Sequence, residues 1–207
     1  MSGWWKKDNY LFYAHGKSGS TSLSEGNFKH VFITDDEESS NMISYFNNNP
    51  GTQIVIFIRN PLDRWLSGIW QFSTEVIQKI NINAFIHDID IDRMDNVAML
   101  ELFCEILNYD KPHTGPVFND AEGYHMAHYL ERFDHVDVPF MVVETKNMTP
   151  FMERIGIELS NHNNSEQKTG VTNHYIDAFQ SFKYKDQVLQ WLEPEMARYN
   201  KLLVDRG

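Results

Sequence analysis

The sequence predicts an α/β fold in which helices cover both faces of a mostly parallel sheet. Two short apolar runs, Tyr10–Ala14 and Ile54–Ile58, are each followed by a polar turn and then by a helix start. This alternation of strand, turn and helix is typical of three-layer α/β proteins. The chain has 207 residues, 42% of them hydrophobic, and is long enough to bury one continuous core. We therefore expect a single domain over residues 1–207.

The first half of the chain carries the clearest element signals. Its apolar patterns predict a helix at 39–46 and strands at 10–14, 30–33 and 53–58. The run Asn47–Gly51 contains three asparagines, a proline and a glycine, and it ends the helix. Asn60 is a favourable N-cap residue and Pro61 suits the first helical position, so the next helix is predicted to begin at Pro61.

The second half of the chain is predicted to be mostly helical. Its apolar patterns predict one strand, at 139–143, and helices at 92–107, 121–133, 149–155 and, in pieces, 172–203. The polar segment 160–170 has no apolar period and is predicted to be a loop. No internal repeat and no linker divides the chain.

Composition excludes several classes of protein. The net charge of −11 argues against a nucleic-acid partner, because such binding needs clustered Lys and Arg. The single cysteine, Cys104, cannot form an intramolecular disulfide, which fits a reducing compartment. No apolar run approaches the roughly 18 residues that would span a bilayer, and the first residues do not resemble a secretory signal. We expect a cytoplasmic protein without a membrane span.

The segment His15–Thr21 directly follows the first predicted strand. It reads His-Gly-Lys-Ser-Gly-Ser-Thr, so a tight turn could wrap its amides around a phosphate while the Lys17 ammonium neutralises it. A nucleoside triphosphatase loop would need a glycine five residues before Gly16, where Leu11 stands. Arg59 likewise occupies the place of a magnesium-binding aspartate. The segment predicts an anion site that differs from the usual triphosphatase loop.

A second polar segment, Arg59–Ser67, follows the predicted strand 53–58. It reads Arg-Asn-Pro-Leu-Asp-Arg-Trp-Leu-Ser, so Arg59 leaves the strand and Ser67 lies about two helical turns further on. Both side chains could then face one phosphate group. In α/β proteins anions bind at the carboxyl edge of the sheet, where both segments are expected to lie.

Together the two segments resemble the sulfotransferases that use 3′-phosphoadenosine 5′-phosphosulfate (PAPS). The resemblance implies a P-loop nucleotide-hydrolase-like fold and PAPS as co-substrate, with no metal. It implies that the 5′-phosphosulfate is held by Gly16, Lys17, Ser18, Gly19, Ser20 and Thr21. It also implies that Arg59 and Ser67 bind the 3′-phosphate. Lys168 stands where many family members carry an Arg-Lys-Gly sequence that touches the same phosphate.

The downstream sequence is loosely similar to the carbohydrate branch of this family. A His-containing loop at 109–113, a strand that ends in Glu144 and a polar loop at 159–168 occur in the order of that branch. The resemblance implies sulfuryl transfer to a hydroxyl or amine acceptor, with carbohydrates among the candidates. It names no particular acceptor, because loops that vary freely on one scaffold build acceptor pockets.

Sulfuryl transfer needs a positioned charge and a base. Lys17 is expected to stabilise the leaving oxygens, and the resemblance implies a His or a carboxylate as the base. The acidic turn after the predicted strand 30–33 supplies carboxylates at the same sheet edge as Lys17, namely Asp35, Asp36 and Glu37. His15 is the second candidate, and His30 ranks lower because it begins a strand.

Two alternatives remain open from the sequence. A nucleotide-dependent kinase would share the glycine- and lysine-containing turn, but Leu11 and Arg59 disfavour it. A degenerate module that binds a nucleotide without catalysis is the other alternative, because the chain between Lys17 and Arg59 is short for the family. Nucleotide binding without turnover would indicate the second.

Overall fold

The computed structural model describes residues 3–16, 18–24, 26–31, 38–69, 95–107, 129–134, 137–159 and 176–206. Within these ranges, five strands form one sheet in the order β3-β1-β2-β4-β5. The strands are β1 (Gly3–Lys7), β2 (Tyr10–Ala14), β3 (Lys29–Val31), β4 (Gln53–Ile58) and β5 (Phe140–Glu144).

Strand direction makes this sheet mixed. β2 pairs in parallel with β4, and β4 in parallel with β5, whereas β1 is antiparallel to both β2 and β3. Four strands therefore point the same way, and only half of the neighbouring pairs are parallel. The sequence prediction of a mostly parallel sheet missed β1. The run Trp4-Trp5-Lys6-Lys7 does not alternate apolar and polar residues, so its periodicity gave no strand signal.

The helical elements follow the strands closely. They are α1 (Ser20–Ser24), α2 (Glu38–Asn48), α3 (61–69), α4 (Asn96–Leu107), α5 (Met148–Arg154), α6 (176–179) and α7 (Lys185–Arg206). Two short 3₁₀ helices, Leu130–Phe133 and Thr145–Asn147, complete the described elements. α3 begins at Pro61 and β2 and β4 have their predicted bounds, so these three predictions are confirmed. The helix predicted at 121–133 was wrong where it is described, because Leu130–Phe133 is 3₁₀.

The chain groups into two compact units. The first comprises residues 1–61, 128–164 and 194–207, and it holds the sheet. The second comprises residues 62–127 and 165–193. The single domain over residues 1–207 stays a prediction.

Alternation along the strands gives the first unit a core on each face of the sheet. On one face, Leu11, Tyr13 and Ile56 pack with the 3₁₀ helix Leu130–Phe133 and with part of α7. On the other face, Phe12 and Phe57 pack with residues of α1 and α5. Successive side chains of a strand point to opposite faces, so each buried run serves both cores. The result is a helix–sheet–helix arrangement, as predicted for the α/β class.

An aromatic cluster forms the core of the second unit. Trp65 of α3 contacts Phe179 and Phe182 with ring centroids 6.0 and 6.3 Å apart. The Trp65 ring is fully buried. Arg64, beside it, is also fully buried, although the apolar pattern did not place it in the core.

Candidate functional site

The two predicted anion segments begin side by side at one edge of the sheet. β2 and β4 are parallel neighbours, and Ala14, the last residue of β2, is paired with Phe57. Neighbouring strands lie about 4.8 Å apart, so the chains that leave these two ends start at nearly the same place. His15 follows one end, and Arg59, which is partly buried, follows the other. The two segments therefore begin at the same edge of the sheet.

The 15–21 loop leaves β2 through a tight turn. The Ser18 backbone N–H donates to the carbonyl of His15 at 2.9 Å, and α1 begins two residues later at Ser20. Gly16 is buried, as are the side chains of Ser18 and Ser20, whereas Thr21 is exposed. The loop is therefore built into the first unit and is more than a solvated turn.

Gly19 is required where it lies. Its φ of +95° is in the left-handed region that side chains other than glycine rarely adopt. A Cβ on this residue would stand 2.7 Å from the buried Sδ of Met148, the first residue of α5. The loop thus packs closely against the first residue of α5, and this contact limits the conformations of the loop.

Tyr129 covers the start of the loop. Its ring lies parallel to the His15 imidazole, with centroids 4.3 Å apart and an angle of 7° between the planes. Its hydroxyl is 3.4 Å from the Ser18 Oγ, and both residues are fully buried. One side chain therefore contacts the loop at two points, three residues apart.

A chain of polar contacts runs from Arg132 through Tyr13 to His15. The Arg132 Nη1 donates to the Tyr13 hydroxyl at 3.0 Å, and that hydroxyl lies 3.5 Å from the His15 Nδ1. A guanidinium can only donate, so the Tyr13 oxygen accepts from Arg132, while the tautomer of His15 decides which atom donates in the second contact. The role of His15 as base stays a prediction.

Glu195 of α7 supports Tyr129 from behind. Its Oε1 accepts the backbone N–H groups of Tyr129 and Leu130 at 2.9 and 3.0 Å, and the side chain is fully buried. These two N–H groups stand at the N-terminus of the 3₁₀ helix Leu130–Phe133, where the helix itself provides no acceptor for them. A buried carboxylate thus caps the segment that touches the loop.

A second polar cluster lies at the end of β5. Glu144 accepts a hydrogen bond from the Tyr199 hydroxyl, and its other oxygen is 2.8 Å from the Lys146 Nζ. Burial raises the pKa of Glu144, but the hydrogen bonds from Lys146 and Tyr199 and the Lys146 charge together hold this pKa below its usual value. Thr145 donates to the carbonyl of Ile58 at 2.9 Å, which ties this cluster to the end of β4.

The predicted base candidates follow β3 in the chain, so the direction of β3 bears on them. β3 is antiparallel to β1, and β1 to β2, so β3 runs in the direction of β2, as expected. Val31 and Tyr13 both pair with Trp4 and stand at the same level. The chain after β3 therefore leaves from the edge that carries the 15–21 loop, two strand spacings or about 10 Å away. Asp35, Asp36 and Glu37 themselves lie outside the described residues.

The remaining predicted site residues are divided. Ser67 is in α3, is partly buried and belongs to the second unit, so its pairing with Arg59 stays a prediction. Lys17 and Lys168 lie outside the described residues. In the described part of the chain, no three His, Cys, Asp or Glu side chains stand close enough together to hold a metal ion.

Sequence reasoning missed three residues that shape this edge. They are Tyr129, Arg132 and Glu195. The contact between the Tyr129 hydroxyl and Ser18 spans 111 positions of the chain. The only local signal was a glutamate at position 195, directly after Pro194 and inside an otherwise amphipathic helix.

Comparison with other proteins adds no relative. No protein-family model, no curated protein and no solved structure matches the chain. Among the described helices, none is long and apolar enough to cross a membrane. The case for a function rests on the residues of the site.

Proposed function

We propose that this protein is a PAPS-dependent sulfotransferase of P-loop-like fold. The observation that carries the proposal is the pairing of β2 with β4, because it starts the 15–21 loop and Arg59 at one sheet edge. Each segment alone is a weak signal, since glycine-rich turns and exposed arginines are common. The adjacency of their starting points supports the proposal, because one ligand with two phosphate groups could contact both segments.

Sulfuryl transfer requires the protein mainly to position the two substrates and to neutralise the charge on the leaving group. The acceptor oxygen or nitrogen forms a bond to sulfur while the bond from sulfur to the 5′-phosphate oxygen breaks, and adenosine 3′,5′-bisphosphate (PAP) leaves. Lys17 and the loop amides neutralise the charge on that oxygen. Arg59, with Ser67, recognises the 3′-phosphate through charge-assisted hydrogen bonds. A contact from Lys168 to the same phosphate belongs to the proposal.

A carboxylate takes the acceptor proton in this proposal. Asp35, Asp36 and Glu37 come after β3, whose direction sends the chain out at the loop edge. His15 is the second candidate in this proposal, with its ring stacked on Tyr129 and its Nδ1 3.5 Å from the Tyr13 hydroxyl. The acceptor is a hydroxyl or amine, with carbohydrates as the first class to test, and the single Cys104 fits a cytoplasmic setting.

The test is transfer of labelled sulfate from PAPS to a panel of saccharide, phenol and amine acceptors, with and without EDTA. We expect transfer to at least one acceptor at an unchanged rate in EDTA. Lys17→Ala should lower that rate by roughly 10²–10³, as for loss of one preorganised electrostatic contact. PAP binding without transfer to any acceptor would indicate a non-catalytic module. A requirement for magnesium and ATP would indicate a kinase.

A further inference from the structure

We propose that Glu195 is a positioning residue for the anion loop, and that it acts through Tyr129 without touching the ligand. The inference rests on the proposed function for the role of the loop. Its structural basis is a continuous path of contacts within the first unit, from the Glu195 carboxylate to the Tyr129 backbone, and from the Tyr129 side chain to His15 and Ser18.

The first step of the path is the cap. The Glu195 Oε1 accepts two backbone N–H groups at 2.9 and 3.0 Å in a place from which water is excluded. A buried N–H group without an acceptor is costly, so these donors fix where the chain turns into the 3₁₀ helix Leu130–Phe133. Glu195 thereby sets the position and direction of the Tyr129 backbone.

The second step is the tyrosine ring. The position of the Tyr129 ring is restrained, because the ring is fully buried and stacks on the His15 imidazole. Its hydroxyl reaches the Ser18 Oγ, one residue after Lys17. A shift of the Tyr129 backbone therefore displaces the loop residues on both sides of Lys17. Packed interiors transmit such shifts because they have few voids.

The far end of the same 3₁₀ helix is held by α7 as well. The Arg198 Nε donates to the Asp134 Oδ2 at 2.9 Å, next to the last residue of the 3₁₀ helix. Arg198 stands one helical turn after Glu195, so a single face of α7 grips both ends. The Arg198 contact is partly exposed and contributes little, whereas the Glu195 contact is buried. Glu195 is therefore the contact that matters for the loop.

The experiment compares Glu195→Ala with Glu195→Gln, which keeps an acceptor oxygen. Tyr129→Leu shows the effect of losing the ring, and Ile157→Ala, in the core on the opposite face of the sheet, is a control for general destabilisation. The readouts are the imidazole resonances of His15, which the Tyr129 ring current shifts, and the Kd for PAP by calorimetry. Because the chain has nine histidines, His15→Gln assigns the signal.

We expect Glu195→Ala to move the His15 resonances toward those of Tyr129→Leu and to weaken PAP binding about tenfold, as for a lost capping contact. Glu195→Gln should stay close to wild type, and Ile157→Ala should lower the melting temperature alone. If Glu195→Ala does not fold, Glu195→Asp, shorter by one methylene, should give the same shift in part. A foldable Ala or Asp variant with wild-type resonances and PAP affinity would overturn the proposal. If the wild-type protein does not bind PAP, the proposed function fails, while the His15 resonances still decide the role of Glu195.

Discussion

Gly19 shows how one residue fixes the shape of the anion loop. Its positive φ and its close approach to Met148 are separate constraints, and each disfavours a side chain at this position. Gly51 offers a matched control, because it also has a positive φ, +86°, but no atom lies within 4 Å of an added Cβ. Comparing the two positions separates backbone strain from steric overlap.

We expect Gly51→Ala to cost about 1 kcal/mol of unfolding free energy, the size of left-handed strain alone. Gly19→Ala should cost that amount plus about 1–3 kcal/mol, because the new methyl group displaces the buried Met148 side chain. Urea unfolding measures both, and PAP affinity should fall only for Gly19→Ala. Equal costs at the two positions would show that Met148 does not restrain the loop.

Glu144 gives the fold a dependence on pH with a definite sign. The pKa of Glu144 lies below its usual value because Lys146 and Tyr199 outweigh burial, while in the unfolded chain a glutamate titrates near about 4.3. The ionised form therefore stabilises the fold above that pH, and the stabilisation is lost as pH falls through the folded pKa.

We expect Glu144→Gln to lower stability at pH 7 and to converge with wild type as the pH approaches 3. The variant removes the titrating group but keeps an acceptor for the Tyr199 hydroxyl. Urea midpoints at several pH values measure the effect. Lys146→Gln is the companion variant, since it removes the opposing charge and should move the wild-type acid transition to higher pH. Parallel pH curves for wild type and Glu144→Gln would contradict this assignment.

At the scale of elements, the sequence predicted those strands and helix starts that short local patterns mark. β2 and β4 were predicted to the residue because each is a short apolar run beside a turn, and α3 was predicted because Asn60 and Pro61 mark its start. β1 was missed because the run Trp4-Trp5-Lys6-Lys7 has no alternating pattern, although β2 pairs with it after a turn of only two residues.

The residues of the candidate site also differ in how far apart in the chain their contacts lie. The sequence alone predicted the loop and Arg59 as site residues, because the residues that form each motif are neighbours in the chain. It could not identify the support from Tyr129 and Glu195, which joins residues 66 positions apart and reaches the loop across 111 more. Long-range contacts leave no periodic trace in a single sequence, so only the fold shows them.

The direction of β3 leads to a prediction about the general base. Because β3 sends the chain out at the loop edge, one carboxylate after it should serve the reaction. We expect one of Asp35→Asn, Asp36→Asn and Glu37→Gln to lose turnover by roughly 10²–10⁴ while keeping PAP affinity, as for loss of a general base. If all three stay active and His15→Ala alone is inactive with PAP affinity retained, the base is His15.

For the whole molecule, the central proposal is that the protein binds a nucleotide with a 3′-phosphate. The chain's net charge of −11 makes unspecific attraction of anions weak, so binding must come from local cations. A ligand that binds the folded state raises the melting temperature, and at one ligand concentration the rise is larger for a tighter ligand.

The most direct test is the melting temperature in PAP, AMP and ATP with magnesium, for wild type and Arg59→Ala. The account predicts a clear rise with PAP, a small one with AMP or ATP, and loss of the PAP advantage in Arg59→Ala, because that variant removes the 3′-phosphate contact. Equal shifts from PAP and AMP, or a PAP shift that survives Arg59→Ala unchanged, would contradict it.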